Sequence, residues 1–190
     1  MLSERQEQIL LSLKRFDYLT VKQLQQLHDL KGNRNAYRVM KQLEPYLHTF
    51  KDDGVNIYYL NKKGREAVAC DKERKKLTTA RHYIMRNNLY IHLDQPANWE
   101  NEVKITLDPI SVIADAHFIT NRHYLVEIDH VQKMKANEKK IEKYRRLIER
   151  NAFKGMPGVI WVTTTPYRRD RLMELCEGLD SLILLDTDIK

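Results

Sequence analysis

The 190-residue sequence predicts an α+β chain in two domains: an N-terminal helical domain closed by a β-hairpin, then a larger domain built on a mixed sheet. Three observations lead there. Apolar residues recur at helical spacing between Ile9 and Leu43 and then give way to a β-prone run around a turn. Beyond Leu77 a helical stretch is followed by three β-prone runs and then by alternating helix and strand patterns. Between the two lies DKERKK, a charged run without apolar anchors. The predicted division is therefore residues 1–70, a linker over 71–76, and residues 77–190.

In the first domain Ser3 is placed to cap a helix whose inward positions are Ile9, Leu10, Leu13 and Phe16, with Glu4 and Glu7 near its positive end. Thr20 is placed to cap a short second helix with Val21, Leu24 and Leu27 inward. Gly32 and Asn33 tolerate a sharp turn, and a third helix is predicted from Arg34 to about Leu47. Its buried stripe is Ala36, Val39, Met40 and Leu43, which leaves Arg34, Asn35, Tyr37, Arg38 and Lys41 on its other faces. TFKDDGVNIYYL then predicts a hairpin turning at Asp53 and Gly54, and Asn61 caps a helix carrying Lys62, Lys63 and Arg65.

This order resembles a winged helix-turn-helix domain. The resemblance implies that the third helix enters the major groove of double-stranded DNA, with Arg34, Asn35, Tyr37, Arg38 and Lys41 toward the duplex and Lys62 and Lys63 extending the positive surface. Charge placement agrees with that expectation. The chain carries net +7, and residues 1–76 hold 16 of its 33 Lys and Arg but only 10 of its 26 Asp and Glu. A protein-docking winged helix with a solvated basic face is the competing expectation.

In the second domain a helix is expected from Leu77 to about Leu93, with Asn87 and Asn88 as a break. WENEVKITL, SVIADAHFI and HYLVEIDH predict a three-stranded meander. A long basic amphipathic helix follows from about Lys135 to Asn151, then strand VIWVTTT, a helix over Tyr167 to Cys176, and a final strand SLILLD. Period-two alternation places Glu127 and Asp129 on one strand face, where a hard cation would relieve the repulsion between carboxylates. His117 and His130 flank the acids, and either is more often structural than a ligand.

That element order is similar to the core of the PD-(D/E)xK, or restriction-endonuclease-like, superfamily. Carried onto this sequence, the resemblance implies Asp115 and Glu127 as catalytic acids, Glu102 as an auxiliary, and Lys140 as the catalytic lysine displaced onto the following helix, because Asp129 stands where the motif has lysine. Asp115, Glu127 and Asp129 would hold Mg2+ or Mn2+ if the site is active, and an inert, nuclease-like platform is the alternative.

Across nearly its whole length the chain resembles the replication-relaxation family of plasmids, phages and integrative elements of Gram-positive bacteria. The stretches that carry the likeness are IYYLNKKGREAV, ARHYIMRNN with His82, IADA, VEID and KKIEKY. It implies a DNA-binding protein of a mobile element, acting in replication, nicking or relaxation or in their control. Replication or transfer proteins of the element are then the expected partners, and paired half-sites would call for a homodimer. A transcriptional regulator or docking module is the runner-up. Two cysteines without ligand spacing argue against a zinc site or disulfide framework, and the expected location is the cytoplasm, away from membranes. No G-x-x-x-x-G-K-[ST] loop occurs, so ATP hydrolysis is not expected.

Overall fold

The computed structural model describes residues 2–189. Two compact units make up the chain, residues 1–87 and 88–190.

The first unit begins with helix α1 (Glu4–Phe16), closed by a capping box in which Ser3 accepts from the Gln6 N–H and the Gln6 side chain answers the Ser3 N–H. A two-residue strand β1 (Leu19–Thr20) leads into α2 (Val21–His28), capped by Thr20 and Gln23 in the same way. Helix α3 (Asn33–Leu43) follows, then the hairpin β2 (Leu47–Asp52) and β3 (Val55–Leu60) and the short α4 (Lys62–Ala67). β3 is the centre of a three-stranded antiparallel sheet in the order β1-β3-β2. Helix α3 stops at Leu43, earlier than its apolar pattern suggests, and a single 3-10 turn over Glu44–Tyr46 replaces its expected last turn. Pro45 accounts for this, since its ring and missing N–H cannot continue an α-helix. β1 was not legible because a two-residue strand carries no period.

Residues 71–76 are fastened to this unit: the Tyr18 hydroxyl donates to the Lys75 carbonyl at 2.7 Å, and Arg74 donates to Asp17 at 2.8 Å. Helix α5 (Ala80–His92) runs unbroken through Asn87 and Asn88. The reason is visible at Asn87, whose buried side chain donates to the carbonyls of Phe16 and Tyr18 at 3.1 and 2.8 Å instead of competing for its own backbone. Gly64 in α4 is required by close approach, because a Cβ there would stand 2.1 Å from the Tyr46 carbonyl oxygen. Gly64→Ala is therefore expected to cost about 1–3 kcal/mol by overpacking. Its urea midpoint, followed by circular dichroism, should fall, and an unchanged midpoint would show that the backbone there gives way freely.

The second unit holds a five-stranded sheet in the order β4-β5-β6-β7-β8. β4 (Glu100–Leu107), β5 (Ile110–Ile119) and β6 (His123–Asp129) form the antiparallel meander. β7 (Gly158–Thr163) and β8 (Ser181–Leu185) add in parallel, reached through α6 (Met134–Glu149) and α7 (Pro166–Leu175). Parallel neighbours need such crossovers, and the strands they cover read as continuous apolar runs, as β7 does. Ile141, Tyr144 and Leu147 of α6 pack with Leu125, Val159, Trp161 and Leu172 into one core. Trp99 stacks on Phe118 at a centroid distance of 5.6 Å, so both tryptophans of the chain are packing residues of this unit. Among the described residues no helix is long and apolar enough to cross a membrane.

Candidate functional site

On the first unit, α3 buries Ala36, Val39, Met40 and Leu43 and turns its polar residues outward. Arg34, Tyr37, Arg38 and Lys41 are exposed, and Asn35 is half-buried. Arg38 donates to the Asn35 carboxamide oxygen at 2.9 Å, so the two side chains present a joined polar edge. Lys62 and Lys63 are exposed on the first turn of α4, with the Lys63 ammonium 4.8 Å above the Tyr46 ring. Asn61 fixes that turn by accepting from the Gly64 N–H at 2.9 Å while donating to the Pro45 carbonyl at 3.0 Å.

On the second unit the β5/β6 register pairs Ala116 with Val126, and one further step sets Asp115 opposite Glu127. Glu127 is fully buried. One of its carboxylate oxygens accepts from the Tyr144 hydroxyl and the other from the Lys140 ammonium. Lys140 and Tyr144 are four residues apart on α6 and so share a face. Burial pushes the Glu127 carboxyl well above its ordinary value, and the negative charge of Asp115 pushes the same way; Lys140 and Tyr144 oppose both. Tyr144 is itself raised by burial and by its acidic neighbours. Asp115 is half-buried and accepts from the Ile128 N–H at 2.7 Å. Glu102 is exposed on β4 at φ 55, level with Asp115 by the flanking pairs Asn101 with Ala116 and Val103 with Ala114.

Asp129 does not join this pair. Its carboxylate is held by Arg168 through a two-pronged ion pair, by Asn137 at 2.8 Å and by Thr163 at 2.7 Å. Burial alone would raise its pKa, but these hydrogen bonds outweigh it and hold the carboxyl below the ordinary value. Asp115 and Glu127 thus face each other across the strand pair, while Asp129 is neutralised separately by Arg168. Alternation assigned both strand acids to one face correctly. It could not say that a lysine of α6 would pair with one while an arginine of α7 paired with the other. Arg168, Asn137, Thr163 and Tyr144 escaped notice because each sits in an ordinary helix or strand pattern.

Among the described residues no group of three or more His, Cys, Asp or Glu is placed to hold a metal ion. Mg2+ keeps several of its waters, and a carboxylate closed from solvent with both oxygens already bonded offers it little. Glu127 in this arrangement, buried and bonded through both oxygens, does not fit a hydrated divalent cation. Of the flanking histidines, His117 pairs with His123, Nε2 to Nδ1 at 2.9 Å, and burial, then His123, lower its pKa.

The sequence of residues 10–163 matches the family described as Replication-relaxation. The chain belongs to the replication-relaxation family. The matched stretch takes in α3, Asp115, Glu127, Asp129, Lys140 and Tyr144, and ends at Thr163, before the Arg168 that neutralises Asp129. No curated protein matches the chain. Among solved structures, the crystal structure of protein VC1899 from Vibrio cholerae is similar, with a TM-score of 0.45 and 14% identity over all of this chain and 55% of that one. The present chain therefore spans little more than half of that protein.

Proposed function

We propose that this replication-relaxation protein binds duplex DNA of a mobile genetic element and acts in its replication, relaxation or their control. The observation that supports this best is the exposed face of α3, in the part of the chain that carries most of the excess positive charge. In this reading α2, the turn at Gly32 and α3 form a helix-turn-helix, and β2/β3 form the wing. Arg34, Asn35 and Arg38 meet base edges, whereas Lys41, Lys62 and Lys63 meet phosphates. Gel shifts over rising salt should show affinity falling steeply, with a log–log slope of about −3 if three or four phosphates are neutralised. Affinity indifferent to salt would remove the proposal.

The second unit is, in the same proposal, a restriction-endonuclease-like platform whose acids are neutralised from within: Glu127 by Lys140 and Tyr144, Asp129 by Arg168. Incubation of supercoiled plasmid with the protein and Mg2+ or Mn2+ is accordingly expected to leave it supercoiled. The convergence of Asp115, Glu127 and Lys140 favours a second reading, a metal-dependent endonuclease or nickase. Nicking that disappears in Glu127→Gln would establish that reading in place of the first.

A further inference from the structure

A cleft of about 370 Å³ opens at the end of the second unit where the β5–β6 turn meets the loop after α6. Its size lies at the small end of the roughly 300–1,000 Å³ range of small-molecule sites. Its walls combine cations with apolar edges. Arg122, His123 and Lys154 line it beside Asn121, Ile119 and Met156, and no carboxylate does. Ile119 and Met156 are 41% and 50% exposed, large apolar side chains left open to solvent within a polar setting. Lys154 is exposed at φ 51, a left-handed backbone that a lysine adopts only when the loop around it dictates.

Two features suggest a built site. His123 cannot turn freely, because its Nδ1 is engaged by His117 Nε2 at 2.9 Å and its ring lies 6.0 Å from that of Phe153. When His117 Nε2–H donates to His123 Nδ1, neutral His123 carries its proton on Nε2, the nitrogen that can donate to a ligand phosphate. Arg122 is ion-paired to Asp180 and lies 5.1 Å over the Tyr124 ring, which orients its guanidinium plane at the cleft. A cation, a fixed imidazole, a guanidinium plane and apolar lips are what an unstacked nucleotide requires: charge for its phosphate, a flat surface and apolar contact for its base.

We propose that this cleft binds one single-stranded nucleotide, with the phosphate on Lys154 and His123 and the base against Arg122, Ile119 and Met156. The site goes beyond duplex recognition by α3 and does not depend on it. Titration of the full chain with thymidine 5′-monophosphate, followed by the imidazole resonances of His117 and His123, should give saturable shifts. Inorganic phosphate and thymidine should each bind about tenfold more weakly than the nucleotide, since each satisfies half of the site. Lys154→Ala should weaken nucleotide binding about fivefold to tenfold, the worth of one charge-assisted contact, and Met156→Ser should weaken thymidine more than phosphate. Duplex affinity in gel shifts should be unchanged by either variant, which separates this site from the α3 reading. No shift of either histidine, an equal response to phosphate alone, or undiminished binding by Lys154→Ala would overturn the assignment.

Discussion

Arg168→Ala is expected to destabilise the second unit by about 3 kcal/mol or more, the cost of leaving a buried carboxylate without its cation. Asp129 is fully buried, and Arg168 donates to both of its oxygens and to the Gln132 carbonyl at 2.7 Å. Asn137 and Thr163 remain in the variant, but neither carries charge. Both tryptophans lie in this unit, so urea unfolding followed by indole fluorescence reports on it directly. The effect also has a pH signature. Because the folded pKa of Asp129 is depressed, its contribution is present above the unfolded carboxyl value and is lost as pH falls through the folded one. The gap between wild type and Arg168→Ala should therefore hold at neutral pH and close only in strong acid. A gap below about 1 kcal/mol at neutral pH would mean that water replaces the guanidinium readily.

Lys140→Met should show a gap that runs the same way, with its window at higher pH. Glu127 is raised in the folded protein, so its contribution to stability is complete below the unfolded carboxyl value and is lost as pH rises through the folded one. Removing Lys140 takes away the ion pair to Glu127 and raises its carboxyl further, leaving the Tyr144 hydroxyl donating to it. The loss should reach about 3 kcal/mol at pH above the folded Glu127 value, where the carboxylate is charged. It should shrink once Glu127 protonates, at a higher pH than the one at which the Arg168→Ala gap closes. Urea midpoints of the two variants across pH measure both windows in one series. Coincident windows would contradict the separation of the two acids into independent neutralised sites.

How much of this was legible in the sequence depended on range. Ser3, Thr20 and Asn61 were readable as caps because a cap acts within three residues of itself. The exposed face of α3 followed from helical period alone, since Ala36, Val39, Met40 and Leu43 leave only one side for the basic residues. The meander and the two parallel strands were likewise visible in β-prone runs and intervening helices. What stayed hidden was long-range. Asp129 meets Arg168 across 39 residues, and nothing local distinguishes Arg168 from Arg169 beside it. Tyr144 looked like one more apolar position of α6, and only the fold shows its hydroxyl on Glu127. The cleft at His123 is assembled from a turn and a loop, where no period exists to be read.

The proposed reading of duplex DNA by α3 is tested by the affinity of Arg34→Ala/Arg38→Ala for duplex from the element's own replication region at fixed salt. Both side chains are exposed and outside the core, so the fold should be unaffected. The double variant should lose about tenfold or more in affinity for cognate duplex, with preference for that sequence reduced. Wild-type affinity in the double variant, with sequence preference intact, would contradict it.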